Sequence, residues 1–256
     1  MDLEDPPAVY VTGELRAGPA VAVVGTRRCT RYGLDMADEF GRVLGNAGWS
    51  VVSGMARGID AAGHRGALAV GGHVIGVLGT GPDIWYPAEN RDLYRQLVAS
   101  GGALLTEYEP GTRPDRWRFP ARNRLIAAIA SATVVVEAGE TGGALITARL
   151  AAEIGRPVFV LPGDVDRPAS VGANRLIRDG AYPVLGGEDL IEELTVCLGT
   201  SPRPAGDRQT GLPAEGLAIV DLPEHWGCSI TEALTRLGRL QAEGTVDSDG
   251  EWARPI

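Results

Sequence analysis

The 256-residue chain contains no lysine; all 24 of its basic residues are arginine. A phosphate loop of the GxxxxGK[ST] type needs that lysine and the motif is absent, so the usual P-loop nucleotide hydrolases are excluded. Cysteine is scarce: Cys29, Cys197 and Cys228 stand far apart with no CxxC pair, which argues against a disulfide framework and a zinc site. No apolar run approaches the ~20 residues of a membrane span. The opening "MDLEDPPAVY" holds no apolar signal segment, so a cytoplasmic location is expected. The three histidines, His64, His73 and His225, lack metal-ligand spacing. No GxSxG elbow is present, and no GxGxxG follows the first strand. The signatures of a metalloenzyme, a serine hydrolase and a nicotinamide dehydrogenase are therefore missing, and no cofactor is expected.

What is present is unevenly spread. The net charge is -9, yet residues 16–187 hold 19 arginines against 16 acids, while the two flanks together hold 5 against 17. The middle is mildly basic and the ends are acidic. Arginine presents a planar fork that binds phosphate bidentately and stacks on bases. The densest feature is "RPDRWRFPARNR", Arg113 to Arg124, with five arginines, two aromatics and a single acid, Asp115.

Short apolar runs alternate with helical patterns from about residue 20 to 197. Strands are expected at 20–24, 50–53, 73–78, 103–108, 133–138, 157–161 and 182–185. They are β-branched and nearly continuous in hydrophobicity, as strands buried on both faces are. Helical spacing between them implies an α/β fold with a doubly wound, mostly parallel sheet. Residues 1–198 form this domain, with a short lead-in over 1–19. Residues 199–216 are rich in Pro, Gly and polar side chains and read as a linker. Residues 217–256 read as a small winged-helix-like module: a helix from Ser229 to Glu243, capped by Ser229 or Thr231, then a hairpin turn at Asp249-Gly250. A tail packed against a partner is the other reading.

In an open parallel sheet, ligands bind beyond the carboxyl ends of the strands. After the first expected strand come Gly25, Thr26, Arg27 and Arg28; after the second, Ser53, Gly54, Arg57 and Gly58. After the fifth, Gly142 and Gly143 precede a helix whose N–H groups can receive an anion. The arginine run follows the fourth strand and so joins the same rim. Arginine beside aromatic rings suits single-stranded nucleic acid, in which charge tracks the backbone and rings stack bases. The competing structural reading is that Trp117 and Phe119 anchor a loop while the arginines are solvated or ion-paired. His64 is open as an anion contact. Glu107, Glu137 and Glu140 lie at strand ends, where acids are either catalytic or partners of the rim's arginines.

Read together, "VAVVGTR", "VVSGMARGIDAAGHRGAL", "VIGVLGTGPDIWYPAEN", "FPARNRLIAAIASATVVVEAGETGGALITARLAAEIGRPVFVLPG" and "GANRLIRDGA" resemble the DNA-processing protein A family (DprA, also called Smf) over about residues 20–195. The resemblance implies an extended Rossmann-like domain that binds single-stranded DNA and dimerises. It further implies protection of incoming single strands in natural transformation, loading of the RecA recombinase, and no catalytic reaction. Arg27 matches the family's arginine after the first strand, and Arg57 a basic position in its second loop. Phe119 falls where an aromatic or apolar residue lies near the DNA path, and Arg122, Asn123 and Arg124 match its other basic element. The candidate DNA-contacting residues are these six together with Gly25, Thr26, Ser53, Gly54, Gly142 and Gly143.

Departures from the family pattern carry expectations of their own. Many members have a helical domain ahead of the sheet; this chain reaches "DPPAVYVTGEL" at once, so that domain is expected to be absent. Residues 207–256 hold 4 arginines and 9 acids, so the C-terminal module is expected to pack against protein rather than bind DNA unaided. Two other functions stay open. One is a nucleotide phosphoribohydrolase on a related fold, although "TGGALITAR" has Ala148 and Arg149 where a PGGxGTxxE loop has its acid. The other is a RecA adaptor with incidental DNA affinity.

Overall fold

Apolar strands too short to stand alone build one sheet between two helical layers. The computed structural model describes residues 8–16, 18–198, 212–213, 215–226, 229–242 and 245–255. It divides into two compact units, Met1–Pro202 and Arg203–Ile256.

The first unit runs β1 (Tyr10–Gly13), β2 (Ala20–Val24), α1 (Arg31–Asn46), β3 (Ser50–Ser53), α2 (Ile59–Ala69), β4 (Val74–Val77), α3 (Arg91–Ala99) and β5 (Ala103–Thr106). It continues with α4 (Arg118–Ile129), β6 (Ala132–Val135), α5 (Gly143–Glu153), β7 (Val158–Val160), α6 (Val171–Arg178), β8 (Tyr182–Pro183) and α7 (Gly187–Leu198). The sheet order is β1-β5-β4-β3-β2-β6-β7-β8, parallel throughout except for the antiparallel edge strand β1. This is the doubly wound α/β arrangement that the alternating pattern predicts.

β1 lies in the stretch the pattern leaves as a lead-in. All four of its residues are exposed, so no buried face betrays it in the sequence, and its pairing with β5 makes it a strand. The expected strands at 103–108 and 133–138 each stop two or three residues early, at Thr106 and Val135, where the chain turns out onto the rim.

Phe40 and Leu44 of α1, Ile59 of α2, Leu93 and Leu97 of α3, and Leu190 and Leu194 of α7 pack on one face of the sheet. Leu125 and Ile126 of α4, Leu145 of α5 and Ala173 of α6 pack on the other. Each large side chain buried there stabilises the fold by about 1.5–3 kcal/mol. The two layers hold the carboxyl ends of the parallel strands on a common rim.

The second unit runs β9 (Leu217–Ala218), α8 (Leu222–Trp226), α9 (Ile230–Ala242), β10 (Val246–Ser248) and β11 (Trp252–Pro255). Its antiparallel sheet has the order β10-β11-β9, and Leu222, Leu237, Leu240 and Val246 fill a small core. Ser229 and Glu232 form a reciprocal capping box: Glu232 N–H donates to Ser229 Oγ, and Ser229 N–H to Glu232 Oε2. Most of the expected linker, and Cys228, lie outside the described residues. Among the described residues, no helix is long and apolar enough to cross a membrane, and no cluster of His, Cys, Asp or Glu could hold a metal ion.

Candidate nucleic-acid interface

The sheet changes direction at β2. From β2 the chain passes through α1 to β3 on one side, whereas from β6, its other neighbour, it passes through α5 to β7 on the opposite side. Loops that diverge in this way leave a crevice beyond the strand ends. The crevice is a groove of about 830 Å³, walled by residues 25–28 after β2, residues 138–143 after β6, and Arg116, Phe119, Arg122 and Asn123 around the start of α4.

Three loop and helix-start positions on this rim have the geometry to receive an anion, and two are filled from within. At α1, Glu137 Oε2 accepts the Thr30 N–H at 2.9 Å, while Thr30 Oγ1 caps the Gly33 N–H at 3.0 Å. A dinucleotide pyrophosphate occupies the equivalent helix start in Rossmann sites; here the chain's own carboxylate stands against it. In the loop leading to α2, Asp60 Oδ2 accepts the N–H groups of Gly54 at 3.0 Å and Ala56 at 3.4 Å. The third position, α5, begins at Gly143 with Gly142 as its cap, no capping side chain and no acid in its first turn. Both glycines are exposed. A phosphate can approach the N–H groups and positive dipole end of α5 without displacing a carboxylate.

Beside that opening lies an aromatic platform. The Phe119 ring stacks on Tyr86 with centroids 5.4 Å apart and planes at 28°. The Arg27 guanidinium carbon lies 5.4 Å from the Phe119 centroid. Gly79 makes room for the ring, because a Cβ there would come within 2.9 Å of Phe119. Arg27, Arg28 and Arg116 are exposed, and among the described residues none has a carboxylate within ion-pair distance.

The expected residues separate into two groups. Gly25, Thr26, Arg27, Phe119, Asn123, Gly142 and Gly143 line the groove. Asn123 Nδ2 donates to Gly143 O at 3.1 Å and so ties α4 to the start of α5. Arg122 lines the groove too but, like Ser53, Gly54, Arg57 and Arg124, is held by partners within the chain. Ser53 is fully buried and donates to Val23 O at 2.6 Å, and the Gly54 N–H is taken by Asp60. Arg124 pairs with Glu107, and Arg57 with Glu89 at 2.7 Å in an exposed pair.

Arg122, a candidate DNA contact in the sequence, lines the groove but is only 3% exposed. Its Nη1 donates to Val77 O, and its guanidinium rests against Gly54. Burial pulls its pKa down to about 10, opposed by the charge of Asp60, so it stays protonated at neutral pH. Asp60 is pushed up by burial, and Arg122 and the two N–H bonds act against that rise. Arg122 therefore fixes the loops after β3 and β4 to α4. His64 is likewise buried, at 0% exposure, and is no anion contact. Of the strand-end acids, Glu107 and Glu140 pair with Arg124 and Arg175, while Glu137 caps α1.

Residues 2–195 match the family model described as DNA recombination-mediator protein A. The chain belongs to that family. The DNA processing protein DprA of Bacillus subtilis is 39% identical over 194 residues, covering 74% of this chain and 65% of that protein. Among solved structures, the Streptococcus pneumoniae DNA processing protein A matches with a TM-score of 0.68 and 40% identity, over 72% of this chain and 65% of that one. The Helicobacter pylori protein, described for its single-stranded DNA binding mode, gives 0.69 and 32%, over 76% and 90%. The chain spans between about half and just under two thirds of the length of the curated relatives it matches.

The groove also holds residues outside the set expected from the sequence. Arg28, Arg116, Arg149 and Tyr86 all line it. Arg28 and Arg116 carry a visible signal, since each adjoins a segment already singled out. Arg149 reaches the groove from α5, and a helical pattern alone does not say which exposed face meets a cleft.

Proposed function

We propose that the groove binds single-stranded DNA without base specificity, and that the protein protects the strand and helps load RecA onto it in recombination and natural transformation. The observation that carries this reading is the exposed Arg27, without an ion-pair partner among the described residues, over the Phe119–Tyr86 stack and beside the start of α5, which no side chain caps. Rings supply stacking for bases, arginine supplies charge for phosphates, and the helix start supplies directed N–H donors. The single-strand binding described for the Helicobacter pylori relative supports it. Arg27, Phe119, Gly142 and Gly143 make the contacts, with Gly25 and Thr26 shaping the loop; Arg122, Asn123, Arg124, Ser53 and Gly54 hold the walls, and Arg57 lies beside the platform. The role is non-catalytic and cytoplasmic.

The test is binding of a fluorescent oligo-dT across a salt series. Affinity should fall with salt, with a log–log slope of about -0.7 per phosphate contacted. Absent or salt-insensitive binding overturns the reading. Steady release of free base from nucleoside monophosphates would favour a phosphoribohydrolase instead. Against that enzyme, Ala148 is buried and Arg149 lines the groove where the acid of such a loop would be needed. Co-purification with RecA in the absence of any oligonucleotide binding would favour the adaptor.

The protein acts as a homodimer in this proposal. Leu185 and Val196 are 78% and 79% exposed, and Tyr182 lies on the two-residue edge strand β8. Sedimentation of Leu185→Asp as a monomer, against a wild-type dimer, tests this part.

A further inference from the structure

We propose that Trp117 forms a second base-stacking subsite, separate from the Phe119 platform, which takes a nucleobase of the strand as it leaves the groove past Arg116. The inference rests on the single-strand reading above and adds to it a place the groove does not include.

Trp117 stands between two residues of different fates. Arg116 belongs to the groove wall, whereas Arg118 turns toward Tyr108. The indole between them is 58% exposed. A loop-anchoring tryptophan sinks its ring into the core, as Trp49 does at 0% exposure. Trp117 leaves much of a large apolar ring in water, and covering such a ring is a major source of binding free energy.

The ring is nevertheless fixed. Its Nε1–H donates to Asp115 Oδ2 at 2.8 Å. Tyr108 meets it in an edge contact, with centroids 6.2 Å apart and planes at 87°. The Arg118 guanidinium lies 5.2 Å from the Trp117 centroid and 5.1 Å from that of Tyr108. Arg118 is held in turn, since its Nη1 donates to Arg113 O at 2.5 Å. Arg118 lies over the ring and Tyr108 meets it in an edge contact, yet Trp117 stays 58% exposed. A ring already held in one pose loses little rotamer entropy when a ligand covers it.

Charge around the ring identifies the occupant. Arg113 and Arg116 are exposed, and among the described residues neither has an ion-pair partner. Two exposed cations on the same short segment as a held, largely exposed ring supply the elements of a single-strand site: phosphates on the cations, a base on the ring. The Tyr86–Phe119–Arg27 group and the Tyr108–Trp117–Arg118 group then receive different nucleotides of one strand.

The experiment measures affinity of the full chain for oligo-dT of increasing length, from three nucleotides to about fifteen. Trp117→Ala should bind the shortest oligomers as the wild type does and lose about 5- to 150-fold on longer ones, the range one stacked base is worth. Trp117→Phe should keep most of that affinity, and Phe119→Ala should weaken every length. If Trp117→Ala matches the wild type at all lengths while Phe119→Ala is weak, the subsite is overturned and the single-strand reading stands. If Trp117→Ala weakens all lengths equally and lowers the melting temperature, Trp117 is a loop anchor and the subsite is again overturned. Failure of the wild type to bind at any length overturns the underlying reading.

Discussion

The guanidinium of Arg122 packs against Gly54, in the space that a methyl group on that glycine would fill. Gly54 thus leaves room for a buried cation, whose countercharge is Asp60. Gly54→Ala should cost about 1–3 kcal/mol of stability through overpacking. Arg122→Ala should cost about 2–5 kcal/mol, because it empties a buried site, leaves Val77 O without its donor and removes a positive charge that opposes the rise of the Asp60 pKa. Urea unfolding checks both. A loss of DNA affinity in Arg122→Ala with no change in stability would show that Arg122 is a direct contact after all.

Arg27 should behave in the opposite way. Its side chain is exposed, so Arg27→Ala should change stability by less than about 0.5 kcal/mol. The same substitution should weaken oligo-dT binding and reduce the salt slope by about 0.7, one phosphate's worth. Because Arg27 lies over Phe119, the two residues should couple by about 0.5–1 kcal/mol in a double-mutant cycle. Strict additivity of Arg27→Ala and Phe119→Ala in anisotropy titrations would contradict that geometry.

The contrast between these arginines explains what the sequence disclosed and what it withheld. Buried parallel strands such as "AVAVV" and "TVVVEA" are legible because burial on both faces makes them continuously apolar. Strand β1 is not, since YVTG is exposed throughout and owes its strand geometry to β5. The rim position of "RNR" follows from strand order, but whether an arginine on it is free or buried depends on its non-local neighbours. Arg122 is buried because Gly54, distant in sequence, is small; Arg27 is exposed, and among the described residues no carboxylate pairs with it. Glu137 looks like its neighbours Glu107 and Glu140 in the sequence, and only the placement of Thr30 shows that it serves a helix instead of an arginine.

His64 makes stability depend on pH. Burial, with the charges of Arg122 and Arg65, lowers its pKa from 6.5 to about 3. Below pH 6.5 the unfolded chain takes up a proton that the folded chain refuses. The stabilisation is therefore complete above 6.5 and is lost as pH falls toward about 3. The slope approaches about 1.4 kcal/mol per pH unit, or about 2 kcal/mol by pH 5. Asp60, pushed up by burial, acts in the opposite sense, so the useful comparison is with His64→Leu. That variant should lose most of the difference in unfolding free energy between pH 7 and pH 5; an unchanged difference would refute the assignment.

Glu137 serves α1 as a built-in anion, and its removal should uncover the site it fills. The carboxylate is buried, accepts the Thr30 N–H and presses against Gly33 in the first turn. Glu137→Gln keeps an acceptor but removes the charge, which should cost about 1–2 kcal/mol at a partly buried helix start. Glu137→Ala should cost more, because the Thr30 N–H is then left unpaired. It should also create a binding site, with millimolar inorganic phosphate or pyrophosphate raising the melting temperature of Glu137→Ala but not that of the wild type through α1. An anion that binds only the folded state stabilises it in proportion to the logarithm of its concentration above Kd. Since Glu137 lines a separate cavity and not the groove proposed for DNA, oligo-dT affinity of Glu137→Gln should stay near wild type at a temperature where both proteins are folded. A variant that gains no response to phosphate, or that loses DNA binding while folded, would mean that Glu137 acts on the groove and not on α1.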